Sequence, residues 1–170
     1  NMNNTMVRAD DPRNRDVLSR MCDEIHKYDC KVFPQLNHGG HTNNSYSPQI
    51  IYAPTQMPAP NCFHNTKELE LDEIHYIRDS FVLGSKMQKE WGFDGVEIKI
   101  AHDGLLRTFV SPYFNRREDE YGGTYENRLR IIKEIIEGIR SELGEGFPIG
   151  FRLCMDEFTE WGYGMQYGIR

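Results

Sequence analysis

The order of the predicted helices and strands limits the possible folds more than any other feature of this sequence. Three helical patterns alternate with three short apolar strand patterns, in the order helix, strand, helix, strand, helix, strand. No hairpin signal such as Asn-Gly joins two of the strands. Strands that alternate with helices pair side by side in parallel, so the sequence predicts an α/β fold.

The helices are recognised by apolar residues that recur three and four positions apart. This spacing predicts helices over residues 10–28, 71–91 and 129–143, and Gly144 supplies a stop for the last of them. Short apolar runs predict strands over residues 31–36, 95–100 and 147–153. Residues 37–66 show no apolar period and are predicted to form one long loop.

The lengths of the connections indicate which end of the sheet is functional. Each predicted helix-to-strand turn has only a few residues, whereas both complete strand-to-helix connections are long and polar. In (β/α) barrels the long connections form the catalytic face, and the short turns at the other end serve stability. Three strands do not close a barrel of eight, so we expect this chain to be a piece of a longer one.

Composition narrows the class of protein. With 38% hydrophobic and 27% charged residues, the 170-residue chain is typical of a soluble globular domain. A formal charge of -6 argues against a nucleic-acid or anionic-membrane partner, and no apolar run is long enough for a membrane span. The four cysteines form no CxxC pair, so we expect reduced thiols in a cytoplasmic protein and no metal site.

Polar residues crowd the end of the middle strand. Lys99 lies in the strand, and His102, Asp103 and Gly104 follow directly after it. Because chemistry in parallel α/β proteins occurs beyond the carboxyl ends of the strands, this is the first candidate site.

Several segments in one order carry a resemblance to a known family. They are QLNHGG from Gln35, GFDGVEI from Gly92, SPYFNRREDEYGGTYENR from Ser111 and FRL from Phe151. With them the sequence resembles the Old Yellow Enzyme and NADH:flavin oxidoreductase family of FMN-dependent (β/α)8 TIM barrels. The resemblance implies that residues 1–170 form the central part of one FMN-binding domain, from strand two or three to strand five.

The resemblance also implies roles for four residues. Gln35 would hydrogen-bond the polar edge of the flavin. Arg152 would place a cation near the flavin N1 and O2 atoms, where negative charge accumulates when the flavin is reduced. His102 and Lys99 would contact the substrate and act in catalysis. Three structural interpretations stay open, namely an ion pair of Arg152, backbone contacts of His102 and a pair between Lys99 and Glu97. The segment 115–128 is predicted to be mostly structural.

Two departures from the family pattern affect the chemistry that we expect. Gly104 stands where ene-reductases of the family carry the tyrosine that protonates the substrate. Glycine has no side chain and cannot donate this proton. The QLxHxGR segment ends in His41 instead of arginine, which would change how this loop meets the substrate or the flavin.

These features favour an FMN-dependent oxidoreductase that oxidises N-methylated amines or amino acids. The alternatives are NAD(P)H-dependent reduction of enone or enoyl substrates, a non-catalytic barrel fragment, and a flavin-free enzyme that uses His102 and Asp103 as an acid and base. One branch of the family adds an iron-sulfur cluster and a dinucleotide domain, which would lie outside this stretch. We expect a small-molecule substrate and a homo-oligomer.

Overall fold

The computed structural model describes residues 7–42, 50–59 and 65–168. Its main sheet has three strands, β1 (Gln35–Leu36), β4 (Val96–Ile100) and β5 (Ile149–Leu153), in the order β1-β4-β5. Both pairs are parallel, which confirms the predicted α/β fold. A second, two-stranded parallel sheet consists of β2 (Tyr52–Ala53) and β3 (Lys67–Glu68).

Three long helices agree with the three predicted ones. They are α1 (Arg15–His26), α2 (Leu71–Glu90) and α5 (Arg130–Leu143). The side chain of Glu70 and that of Glu73 form a capping box at the start of α2, which satisfies free amide groups there. Helix α5 ends at Gly144, whose φ of 83° is a conformation that glycine adopts without strain, as the sequence predicted.

Shorter helices lie in the connections. They are α3 (Leu105–Val110), α4 (Tyr125–Arg128) and α6 (Met165–Gly168), with 3₁₀ turns at Pro12–Asn14 and Gly40–Thr42. The first two, α3 and α4, lie in the long connection between β4 and α5.

The two faces of β4 divide the sheet into a core side and a polar side. Val96, Ile98 and Ile100 are buried and pack with residues of α2 and α5 in the main hydrophobic cluster. Glu97 and Lys99 alternate with them and are only partly buried. Since successive side chains of a strand point to opposite faces, the polar pair faces away from the helices.

The predicted strand over residues 31–36 is wrong over most of its length, because only β1 is regular. Pro34 has no amide hydrogen, and the amide of Val32 donates to the Asp94 carboxylate at 3.0 Å instead of to a neighbouring strand. The segment still runs beside β4, since the Asp94 amide donates to the Val32 carbonyl and the Glu97 amide to that of Pro34. The connection from α1 to β1 is therefore longer than predicted.

The prediction of one loop over residues 37–66 is also wrong in part, since β2 lies within it. Residues 43–49 and 60–64 of this loop lie outside the described residues. In the part of the chain that the structure describes, no helix has the length and apolar character needed to cross a membrane.

Candidate active site

The polar face of the sheet brings together the residues that the sequence singled out. Gln35 is the register partner of Glu97 between β1 and β4, and Lys99 is the partner of Arg152 between β4 and β5. Partners in a parallel ladder share a face, so all four side chains lie on the side opposite the buried core. The structure therefore places three of the four predicted site residues, Gln35, Lys99 and Arg152, on one face of the sheet.

Glu97 connects the two residues predicted to bind the flavin. Its Oε1 accepts a hydrogen bond from Nε2 of Gln35 and lies 3.4 Å from Nε of Arg152. The ion pair considered for Arg152 is thus present. The Arg152 side chain nevertheless stays 53% exposed, so its guanidinium has donors left for a ligand.

Lys99 has a different partner from the one considered. Its Nζ lies 3.5 Å from Oδ1 of Asp103, so the interpretation that paired Lys99 with Glu97 is wrong. The Lys99 side chain is only 13% exposed, whereas that of Asp103 is 56% exposed. A mostly buried ammonium therefore lies at the end of β4 beside a carboxylate that faces water.

His102 occupies the turn between β4 and α3. Its φ of 54° is in the left-handed region that non-glycine residues rarely adopt, and such backbone strain clusters at functional sites. Its side chain is exposed. The imidazole is therefore accessible to a ligand bound over the strand ends.

Gly104 closes the same turn against the loop that follows β1. A Cβ at position 104 would lie 2.9 Å from Oδ1 of Asn37 and 3.7 Å from the His38 carbonyl. The Leu105 amide donates to that carbonyl at 2.8 Å, which ties the start of α3 to the loop. A side chain at position 104 would require Asn37 to move.

The loop after β1 carries two histidines with lowered pKa values, His38 and His41. Burial lowers the pKa of His38 to about 4, and its Nδ1 accepts a hydrogen bond from the Gly40 amide at 3.1 Å. His41 is buried, and burial and the nearby Arg107 both lower its pKa. Its ring packs 5.0 Å from that of Phe114, so position 41 contributes an aromatic contact to this loop.

Arg107 and Glu157 form a cross-loop ion pair that sequence reasoning missed. Nη1 of Arg107 donates to Glu157, and both side chains are largely buried. Glu157 also accepts hydrogen bonds from the Ser111 hydroxyl at 2.8 Å and the Tyr163 amide at 3.1 Å. The pair therefore ties α3 to the segment after β5. A charge within the apolar run LLRTFV was its only sequence signal.

The segment 115–128 has the structural role that the sequence predicted. Arg117 is buried and donates to the carbonyls of Pro54 and Leu69 at 2.8 and 2.6 Å, and it pairs with Asp119. It thereby joins the β2–β3 sheet to the connection after β4.

In the described part of the chain, no group of three or more His, Cys, Asp or Glu residues could hold a metal ion.

The donor set on the polar face fits the edge of a flavin ring. An amide from Gln35 and a guanidinium from Arg152 match ring carbonyl and nitrogen acceptors, and both side chains are exposed on this face.

Parallel strands that alternate with helices and carry polar residues at their carboxyl ends are typical of part of a (β/α) barrel enzyme. Residues 8–166 match the model of the NADH:flavin oxidoreductase / NADH oxidase family. The chain belongs to this FMN-dependent family.

The relatives include enzymes named for several reactions. NADH oxidase of Thermoanaerobacter brockii is 35% identical over 95% of this chain, and N,N-dimethylglycine/sarcosine dehydrogenase of Chromohalobacter salexigens is 34% identical over 83% of it. Histamine dehydrogenase from Rhizobium sp. 4-9 has a similar structure, with a TM-score of 0.87 and 30% identity over 93% of this chain. The chain spans 25%, 21% and 24% of these three proteins, respectively.

Proposed function

We propose that the whole protein is an FMN-dependent oxidoreductase that oxidises N-methylated amines or amino acids. All 170 residues would lie within its FMN-binding domain. The main reason to prefer this reaction is that Gly104 has no side chain and lies close to Asn37.

Gln35 and Arg152 would hold the cofactor. When bound, FMN supplies an acceptor for the hydride that leaves the substrate carbon. Arg152 would stabilise negative charge at the edge of the ring, and Glu97 would keep Arg152 and Gln35 oriented through its contacts with both.

The missing acid argues against alkene reduction. Reduction of an activated alkene requires a proton donor for one of its carbons. At position 104 there is no such group, and the nearest side chain, that of Asn37, is a neutral amide. Oxidation of an amine needs no proton donor to carbon, so a site with Lys99 and His102 but no acid at position 104 suits it better.

Two of the relatives support the same choice by name. One is a dehydrogenase of N,N-dimethylglycine and sarcosine, and the other is a dehydrogenase of histamine. Both names denote oxidation next to an amine nitrogen.

The test is anaerobic stopped-flow absorbance of the flavin in the intact protein. Rapid bleaching of the oxidised flavin by an N-methylated amine or amino acid would support the proposal. No bleaching by any of them, with rapid reoxidation of the NAD(P)H-reduced enzyme by an enone, would overturn it in favour of alkene reduction.

A further inference from the structure

Glu97 lies in the middle of the polar face, between side chains of both neighbouring strands. Its register partners are Gln35 on β1 and Gly150 on β5. Gly150 has no side chain, and Arg152, two positions further along β5 and on the same face, contacts Glu97 instead. One carboxylate oxygen, Oε1, therefore contacts a residue of each neighbouring strand.

The contact with Glu97 fixes which end of the Gln35 amide faces a ligand. An ionised carboxylate only accepts hydrogen bonds, so the NH2 group of Gln35 must face Glu97, as Nε2 does in the structure. The opposite orientation would place the carbonyl oxygen of the amide against a negative charge. The carbonyl oxygen and one N–H of Gln35 are thus left for a ligand, in a fixed arrangement that an isolated glutamine would not keep.

The same carboxylate offsets the charge of Arg152. Nε of Arg152 lies 3.4 Å from Oε1 of Glu97, and the two side chains are 53% and 33% exposed. A guanidinium beside a carboxylate presents less net positive charge to a ligand than a guanidinium alone. A ring bound on this face would exclude water, and both charges would then act on it more strongly.

We propose that Glu97 is a positioning residue that sets both the hydrogen-bonding pattern and the net charge of the flavin site. Through Gln35 it selects a ring edge that carries an N–H donor. Through Arg152 it lowers the potential of the bound flavin, because it weakens the stabilisation of the reduced, negatively charged ring. The proposal rests on the cofactor role proposed for Gln35 and Arg152, and it holds whether or not the substrate is an amine.

A residue that only joined the three strands would behave differently. Glu97→Gln keeps the size of the side chain and its ability to accept a hydrogen bond, and it removes the charge. If Glu97 is only a structural link, this change alters the melting temperature and leaves the flavin potential unchanged. If Glu97 sets the charge of the site, the potential changes in a known direction.

The first experiment measures the flavin potential of the intact, FMN-loaded protein by spectroelectrochemical titration. Glu97→Gln should raise the potential, because Arg152 then acts on the reduced flavin with its full charge. Glu142→Gln is the control, since it removes a carboxylate that pairs with Lys86 on the helical surface and should leave the potential unchanged. An unchanged or lowered potential in Glu97→Gln would overturn the proposal.

The second experiment compares the binding of FMN and N3-methyl-FMN, which lacks the N–H of the ring edge, to intact protein freed of flavin. The wild type should bind N3-methyl-FMN about tenfold more weakly, the loss expected for one hydrogen bond. Gln35→Ala should remove most of this difference. Glu97→Gln should reduce it, because the Gln35 amide is then no longer held in one orientation.

The two experiments also separate this proposal from the cofactor assignment. The same preference for FMN in Glu97→Gln as in the wild type would overturn the role of Glu97 and leave that of Gln35 intact. An unchanged preference in Gln35→Ala, together with an unchanged potential in Arg152→Ala, would overturn the cofactor assignment and the proposal with it.

Discussion

At the scale of single residues, Glu97 organises the polar face of the sheet. It lies in β4 between the two strands that carry Gln35 and Arg152, and it contacts both side chains. The carboxylate holds the guanidinium in place and offsets part of its charge. Removal of Arg152 would leave Glu97 as an unbalanced negative charge beside the proposed flavin site.

Arg152→Ala should therefore weaken FMN binding and lower the flavin potential, by roughly 1–3 kcal/mol for the loss of one charged hydrogen bond. The measurement is a spectroelectrochemical titration of the intact protein. Arg20→Ala is the control, since Arg20 lies on α1 and, among the described residues, donates a hydrogen bond to the Asp16 carbonyl of its own helix. An unchanged potential in Arg152→Ala would exclude the assigned role.

Gly104 is a second residue whose role can be tested by itself. Because a Cβ would approach Asn37 Oδ1 to 2.9 Å, Gly104→Ala should destabilise the fold by about 1–3 kcal/mol through overpacking. Thermal unfolding followed by circular dichroism measures this loss. Gly146→Ala is the matched control, since a Cβ there meets no atom within 4 Å. Equal melting temperatures for the two variants would show that Asn37 yields without cost.

At the scale of elements, Asp94 joins α1 to the start of β4. Its carboxylate accepts a hydrogen bond from the Val32 amide at 3.0 Å, pairs with Lys31 at 2.9 Å and lies 2.8 Å from Nε2 of His26. The Val32 amide, followed by Lys31 and His26, holds the pKa of Asp94 well below its usual value. One ionised side chain therefore reinforces the backbone hydrogen bonds that hold the irregular segment before β1 beside β4.

This attachment predicts a dependence of stability on pH. Since the pKa of Asp94 is lower in the folded state, its contacts stabilise the protein above pH ~4 and are lost as pH falls towards the folded-state pKa. The difference in unfolding free energy between wild type and Asp94→Asn should thus be largest near neutral pH and shrink below pH ~4. Urea unfolding at several pH values measures it, with Glu145→Gln at an exposed position as control. A difference that stays constant down to pH 3 would contradict the assignment.

Helices and strands whose apolar residues recur at a regular spacing were predictable from sequence, and those without such a spacing were not. Helix α5 repeats isoleucines at helical spacing and ends at Gly144, so its prediction was confirmed to within one residue. Strands β2 and β3 have only two residues each, and helix α3 opens with two adjacent leucines. None of these three elements shows a repeating spacing of apolar residues in the sequence.

The same limit applies to the candidate site. The positions of Gln35, Lys99, His102 and Arg152 followed from strand order and family resemblance. Their partners depend on packing between distant segments, as in the approach of Asn37 to Gly104 or the pair of Arg107 with Glu157. Such contacts leave no local pattern in the sequence.

At the scale of the whole molecule, β5 lies at an edge of the described sheet. Phe151 and Leu153 are 41% and 50% exposed, and with residues of α5 they line an apolar pocket of about 230 Å³. In a complete (β/α)8 barrel, the next strand and helix cover this side of the sheet. The exposed surface is thus consistent with a chain that spans about a quarter of the length of the NADH oxidase and histamine dehydrogenase relatives.

A single turnover of the intact, FMN-loaded protein without oxygen shows directly whether the enzyme oxidises N-methyl groups. The protein is mixed with an excess of N,N-dimethylglycine, and the loss of oxidised-flavin absorbance and the amount of formaldehyde formed are both measured. We expect complete bleaching and one formaldehyde for each flavin reduced, because one N-methyl group is oxidised per hydride transferred. An oxidised flavin that no N-methylated compound bleaches, in an enzyme that reduces enones with NAD(P)H, would contradict it.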